Sequence, residues 1–99
     1  MSKPIYKVFL MNLKDAWHEL SPEEQKELGE KGEQALKEVG GERLIACDSA
    51  WCSENYLGWG VEKFPDIEAV QKHAMMLSEL NWYHYFESTS YLGTEFIQG

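Results

Sequence analysis

Residues 5–13 carry apolar side chains at both of the alternating positions that a strand sends to opposite faces. One set is Ile5, Phe9, Met11 and Leu13, and the other is Tyr6, Val8 and Leu10. The run NWYHYFE at 81–87 repeats this property, because it places five ring side chains in an unbroken row. Both segments are predicted to be strands that pack against other structure on each face.

A helix is predicted over residues 21–40. Ser21, Pro22 and Glu24 combine a capping box with proline at the first helical position, and the pair Gly40–Gly41 favours a helix end. The predicted buried stripe of this helix consists of Leu28, Ala35, Leu36 and Val39.

Residues 42–51 and 56–64 predict a second and a third strand in a hairpin, joined by the turn CSEN at 52–55. Asp66 is the predicted cap of a second helix that runs to about Leu80. The predicted buried stripe of that helix is Ile67, Val70, Ala74 and Leu77. With the fourth strand beginning in NWYHYFE, the order βαββαβ predicts the ferredoxin-like α+β fold, in which two helices cover one face of a four-stranded antiparallel sheet.

The other face of such a sheet ordinarily meets water, and its strands then alternate apolar and polar residues. The first and fourth strands do not alternate, so we expect a second copy of the chain to cover that face in a homodimer paired sheet to sheet. Tyr83, Tyr85 and Glu87 share one face of the predicted fourth strand and are assigned to the dimer interface. Glu87 is the expected acceptor for a tyrosine hydroxyl across that interface.

Composition supports an oligomer and limits the partners. One domain is predicted over the 99 residues, which hold four Trp, five Tyr and four Phe, more apolar surface than a small domain easily buries. The formal net charge of -8 argues against nucleic acids and anionic membranes as partners. No signal peptide or membrane span is predicted, so we expect a cytoplasmic protein with Cys47 and Cys52 as free thiols.

Several short motifs together resemble a known group of proteins. They are Trp17 and Leu20 with SPEE at 21–24, CDSAW at 47–51 and WYHYFE at 82–87. The chain is similar to the dimeric α+β barrel superfamily, and within it to the small darcynin-like proteins. The resemblance implies a homodimer with facing sheets, in a superfamily that includes cofactor-free monooxygenases, isomerases, haem enzymes and proteins of no established function.

The resemblance also extends to particular residues. It implies that Trp82, Tyr85, Phe86 and Glu87 form a shared strand motif and that Asp48 is a shared acidic residue. His84 falls at a position that is expected to vary among such relatives. The resemblance identifies no reaction.

Glycines mark a possible ligand pocket. Gly58 and Gly60 share one face of the third strand, and Gly32 lies within the buried stripe of the first helix. Either these glycines allow rings to pack closely on the backbone, or they leave free volume for a ligand. The predicted pocket consists of Gly32, Gly58, Trp59, Gly60, His84 and Phe86.

Asp48 and His73 are the candidate catalytic residues. Asp48 has small or apolar neighbours on its strand face, so its carboxylate is either desolvated for acid–base chemistry or guards a sheet edge. His73 borders the stripe of the second helix, as either a structural group or a proton shuttle. No phosphate-binding loop, nucleophile elbow or metal-binding histidine pair is present, so no cofactor and no metal is predicted.

Three functions remain open from the sequence. The first is a homodimeric binding protein for a small apolar or aromatic molecule, held in an aromatic-lined pocket between sheet and helices. The second is a cofactor-independent monooxygenase or isomerase that uses Asp48 or His73 to move a proton. The third is a haem-binding protein, with His73 or His84 as the axial ligand.

Overall fold

A computed structural model describes residues 3–53 and 55–96. Its elements are β1 (Ile5–Leu13), α1 (Asp15–His18), α2 (Pro22–Glu38), β2 (Glu42–Asp48), β3 (Gly58–Phe64), α3 (Ile67–Glu79), α4 (Trp82–Tyr85) and β4 (Phe86–Gly93). The predicted domain covers residues 1–99, and the predicted CSEN turn covers residues 52–55. Positions 1–2, 54 and 97–99 lie outside the described residues. No helix within the described ranges combines the length and the apolar composition needed to cross a membrane.

The four strands form one antiparallel sheet in the order β2-β3-β1-β4. This order and the positions of α2 and α3 confirm the predicted ferredoxin-like α+β fold. The buried core between helices and sheet contains Leu36, Phe64, Ala69 and Val70, with Ile5 and Val39 packed against it. All of these side chains lie on one side of the sheet.

The ends of α2 follow the predicted local signals. The Ser21 hydroxyl accepts a hydrogen bond from the Glu24 amide at 3.1 Å, and the Glu24 carboxylate accepts one from the Ser21 amide at 2.9 Å. At the other end, Gly40 has φ +78°, and the Gly41 amide donates to the Leu36 carbonyl at 2.9 Å. This Schellman geometry needs a left-handed residue, which glycine adopts without steric cost.

The buried stripe of α3 differs from the predicted one. Ala69, Val70, His73 and Leu77 are buried, whereas Ile67 is 42% exposed and Ala74 is exposed. His73 therefore belongs to the stripe itself, and its ring packs on Phe64 with 5.3 Å between ring centroids. Apolar periodicity alone predicts Ala74 in place of His73, because a polar ring interrupts the apolar pattern at the buried position.

The prediction of a strand over residues 82–85 is wrong, because these residues form the helical turn α4. Asn81 has φ 59°, a left-handed conformation that asparagine tolerates and that turns the chain sharply after α3. The His84 amide then donates to the Asn81 carbonyl at 3.1 Å. The consecutive rings therefore point around a helical turn, and no second sheet is needed to explain them.

The β2–β3 hairpin is shorter than predicted and has a longer loop. Asp48 ends β2, and its carboxylate accepts a hydrogen bond from the Ala50 amide at 2.9 Å. The buried Ser49 hydroxyl donates to the Tyr56 carbonyl at 2.9 Å, which holds the loop together. Local side-chain bonds of this kind compete with strand pairing, so residues 49–51 leave the sheet.

Candidate functional site

A cavity of about 250 Å³ lies between the helix-facing side of the sheet and helices α2, α3 and α4. Its apolar wall consists of Phe9, Met11, Leu77, Trp82 and Phe86. Its polar wall consists of Lys7, Glu33, Arg43, Glu62, His73 and Tyr83. An apolar body with a few converging polar groups is typical of small-molecule sites.

The apolar wall is a stack of rings. The centroids of Trp82 and Phe86 are 4.3 Å apart, since four residues of separation place both on one side of the α4 turn. Trp17 from α1 extends the stack, at 5.1 Å from Phe86. On the other side, a Cβ at Gly32 would lie 2.7 Å from the Trp82 ring. Gly32 therefore lets this indole pack directly on the backbone of α2.

Arg43 links the charged residues of the polar wall. Its guanidinium donates to Glu62 at 3.0 Å and also to Glu33 of α2, so it joins the sheet to the helix. Glu62 is only 4% exposed, and this charge-assisted bond offsets the cost of burying its carboxylate. Burial opposes the charge on Arg43, but the two carboxylates outweigh burial and raise its pKa.

Lys7 lies directly opposite Glu62 in the β1–β3 pairing and on the same, helix-facing side. Burial lowers the pKa of Lys7, and the charge of Glu62 counteracts this only in part. Among the described residues, no carboxylate oxygen lies within 4.0 Å of the Lys7 ammonium. Its hydrogen-bond donors therefore remain available to the cavity.

His73 is 3% exposed, and its Nδ1 has no hydrogen-bond partner within the described part of the chain. Burial lowers the pKa of His73, and the nearby positive charge of Lys7 lowers it further. The charged ring would place a buried N–H on Nδ1 without an acceptor, so the neutral imidazole is favoured. A neutral imidazole at the cavity wall can accept or relay a proton.

Tyr83 lines the same cavity from α4. Burial raises the pKa of its hydroxyl, and the negative charge of Glu62 raises it further. The phenol therefore stays protonated at neutral pH and can donate a hydrogen bond to a ligand.

Of the residues predicted for the ligand pocket and for catalysis, three line the cavity: Gly32, Phe86 and His73. Gly58 and Gly60 share the helix-facing side of β3, but other atoms cover them. A Cβ at Gly60 would lie 2.6 Å from the Phe9 ring, and one at Gly58 would lie 3.0 Å from the Cys47 carbonyl oxygen. Gly60 fits the alternative in which a ring packs on the backbone, whereas Gly58 meets a backbone carbonyl oxygen. Neither glycine lines this cavity.

Trp59, His84 and Asp48, which also belong to the predicted site, do not line this cavity. Trp59 alternates with the helix-facing glycines of β3 and therefore points to the open face, which is the side of the sheet that α2 and α3 do not cover. There it pairs with Leu10. His84 is exposed on α4, with its ring 4.9 Å from that of Tyr85. Asp48 is exposed at the end of β2, where it caps a turn instead of being desolvated on a strand face.

The three residues predicted for the dimer interface are separated in the structure. Glu87 lies on the open face of β4, opposite Asn12 of β1. Tyr83 lines the cavity, and Tyr85 borders a surface groove with Leu20 on the helix side. The predicted common strand face does not exist, because α4 replaces the first part of the expected strand.

Sequence reasoning missed Lys7 and Glu62, although a signal was present. Lys7 shares the parity of Ile5 and Phe9, and Glu62 shares that of Gly60 and Phe64. A charged residue at the inward position of a mid-sheet strand is costly unless it has a partner or a function. These two interruptions of the apolar pattern could have located the polar wall.

Metal binding has no evident site in this region. Within residues 3–53 and 55–96, no three His, Cys, Asp or Glu side chains cluster closely enough to hold a metal ion.

No family model and no curated protein sequence matches the chain. Solved structures do match it. A chlorite dismutase-like protein superposes with a TM-score of 0.71 at 16% identity, covering 95% of this chain and 46% of that one. This chain thus spans less than half of that protein.

Two further structures are of similar size to this chain. A protein of unknown function from Rhodopseudomonas palustris has a TM-score of 0.69 at 12% identity, over 99% of this chain and 86% of that one. A dimeric ferredoxin-like protein of unknown function from Thermobifida fusca has a TM-score of 0.54 at 12% identity, over 96% and 93%. The chain has the ferredoxin-like α+β fold of these structures. Such identities show the fold alone, and the closer resemblance to darcynin-like proteins stays a prediction.

Proposed function

We propose that this chain is a cytoplasmic homodimeric protein that binds a small aromatic or apolar molecule in the cavity of each subunit. The observation that carries the proposal is the cavity of about 250 Å³, walled by Trp82, Phe86 and Phe9 on one side and by polar groups on the other. At roughly 30 Å³ per water molecule, this space equals about eight waters and suits a ligand of one or two rings.

Pairing through the open sheet face is the second part of the proposal. Tyr6, Val8, Leu10, Ile45, Trp59, Val61 and Tyr91 lie on the face that α2 and α3 leave uncovered. Val8, Ile45, Trp59 and Tyr91 are 37%, 50%, 38% and 64% exposed in the single chain. A contiguous apolar surface of this kind is typical of a protein–protein interface, and the Thermobifida fusca protein of the same fold is dimeric.

The binding proposal is tested with a neutral two-ring probe, 2-naphthamide, by isothermal titration calorimetry. Ala46 lines the cavity, so Ala46→Leu is expected to fill space and weaken binding about tenfold or more. Ala50 is exposed in the β2–β3 loop, and Ala50→Leu is the matched control that leaves affinity unchanged. Binding that is equally strong in Ala46→Leu would contradict the proposal.

A proton-transfer enzyme, acting as a cofactor-independent isomerase or monooxygenase, is the second candidate. The neutral, buried imidazole of His73 favours it, since that group can take a proton from carbon beside a carbonyl and return one. Asp48 has no part in this version, because it lies outside the cavity. The test uses NMR to follow the incorporation of deuterium from solvent into a bound aromatic ketone. His73→Gln should abolish this incorporation while leaving the affinity for the ketone intact.

Haem is a poor match to this cavity. A volume equal to about eight water molecules is too small for a porphyrin. A histidine that ligates a metal normally donates its other ring N–H to an acceptor, but His73 Nδ1 has no such partner in the described chain. His84 is exposed on α4 and does not face the cavity. The third function considered from the sequence therefore gains no support from the described residues.

A further inference from the structure

We propose that the ligand of this cavity carries an anionic oxygen group of the carboxylate class, which Lys7 binds, beside an aromatic part that packs on Trp82 and Phe86. This inference rests on the proposed binding function and specifies the chemistry of the ligand.

The first argument is the position of Lys7 in the sheet. β1 is an interior strand in the order β2-β3-β1-β4, and Lys7 lies on its helix-facing side between Glu62 of β3 and Leu92 of β4. A charge that protects a sheet edge from pairing belongs on an edge strand, so that explanation does not apply here. An ammonium at such a place must be compensated by another group.

The second argument is the distribution of partners within the polar wall. Arg43 holds Glu62 at 3.0 Å and also binds Glu33, so both carboxylates of the wall are engaged by one guanidinium. Glu62 faces Lys7 across the strand pair, yet no carboxylate oxygen of the described chain comes within 4.0 Å of the ammonium. The side-chain hydrogen bonds of the described residues include none from Lys7, so its donors have no acceptor among residues 3–53 and 55–96. A ligand carboxylate would supply one, through a charge-assisted hydrogen bond.

The third argument is the arrangement of the two walls. Lys7 and Phe9 are neighbours on the same side of β1, so the ammonium adjoins the apolar part of the cavity. Trp82 and Phe86, with ring centroids 4.3 Å apart, provide a surface on which an aromatic ring can stack. An aromatic acid satisfies both walls at once, whereas a purely apolar ligand leaves the Lys7 donors without a partner.

The experiment compares 2-naphthoate with 2-naphthamide, which share a ring system and differ in charge, by calorimetry at pH 7. The wild-type chain is expected to bind the carboxylate about tenfold more tightly or better, as a charge-assisted hydrogen bond implies. Lys7→Met keeps the apolar stem and should remove this preference. Lys72→Met removes the same charge from an exposed position of α3 and should keep the preference.

Each outcome decides between the two proposals. Equal affinity of the wild-type chain for both compounds would overturn the carboxylate inference and leave the binding function standing. Binding of neither compound would overturn both. Since the wild-type comparison needs no variant, the inference remains testable even if Lys7→Met does not fold. A carboxylate preference that persists in a folded Lys7→Met protein would also contradict the role of Lys7.

Discussion

Gly29 and Gly32 lie one turn apart on α2, yet they face different surroundings. A Cβ at Gly32 would come within 2.7 Å of the Trp82 ring, whereas one at Gly29 would meet no atom within 4 Å. A helix-interior glycine costs roughly 1 kcal/mol relative to alanine when nothing opposes the methyl group. Alanine at position 29 therefore tests helix propensity alone, whereas alanine at position 32 also tests the packing of the Trp82 ring.

We expect Gly29→Ala to raise the free energy of unfolding by up to about 1 kcal/mol. Gly32→Ala should lower it by roughly 1 to 3 kcal/mol, because the Trp82 ring must move. Urea denaturation of the two variants measures both values, and each serves as the control for the other. Stabilisation by Gly32→Ala would show that Trp82 does not pack on this glycine.

The protonation of His73 couples stability to pH. Its pKa in the folded chain is lowered from the ordinary value of 6.5, mainly by burial. Between the lowered pKa and 6.5 the unfolded chain binds more protons, so the folded state loses stability as the pH falls through this window. Above 6.5 both states are deprotonated at this site, and its contribution is constant.

We therefore expect the free energy of unfolding to fall below pH 6.5, with a slope from this site of at most about 1.4 kcal/mol per pH unit. His73→Gln should flatten that slope, and the exposed His84→Gln should keep it. Denaturant titrations from pH 5 to 7.5 provide the comparison. An unchanged slope in His73→Gln would mean that folding does not lower the pKa of His73.

At the level of elements, the short turn α4 determines where the cavity walls meet. Asn81 begins it with φ 59°, and the Lys14 ammonium donates to the Tyr83 carbonyl at 2.7 Å, holding the turn against the end of β1. This conformation costs an alanine about 1 kcal/mol or more, whereas glycine adopts it freely. The conformation of one residue thus directs Trp82 toward α2.

Asn81→Ala should lower the free energy of unfolding by about 1 kcal/mol, and Asn81→Gly should be nearly neutral. Thermal melts of the two variants test this difference. If both variants melt alike, residue 81 does not adopt a left-handed conformation.

The success of sequence reasoning also differed from element to element. The ends of α2 were predictable because the capping box and Gly40 act within a few residues of the chain. α4 was not predictable from alternation, since its conformation depends on Asn81 and on the contact of Trp82 with distant Gly32. Gly32, His73 and Phe86 are predictable as site candidates from the sequence. The parity of Lys7 and Glu62 indicates that each faces inward, but only the strand register places the two side chains opposite each other.

At the scale of the whole molecule, the chain is a thin two-layer slab, with Cα extents of 49 × 31 × 16 Å. Its radius of gyration of 14.3 Å exceeds the roughly 13 Å of a compact chain of this length. The helices cover the side of the sheet on which the cavity lies. The open face presents Trp59, Tyr91 and their apolar neighbours. In our account one face binds the ligand and the other binds a second copy of the chain.

The assignment of ligand binding to one face and of pairing to the other is tested most directly by native mass spectrometry with 2-naphthamide. The wild-type chain is compared with the variant Trp59→Glu. The account predicts a wild-type species of two 11.5 kDa chains with two bound ligands. Trp59→Glu should give one chain with one ligand, because a charge on the open face disrupts pairing but lies on the opposite side of the sheet from the cavity. A monomeric wild-type chain, or a variant monomer that no longer binds the probe, would contradict the account.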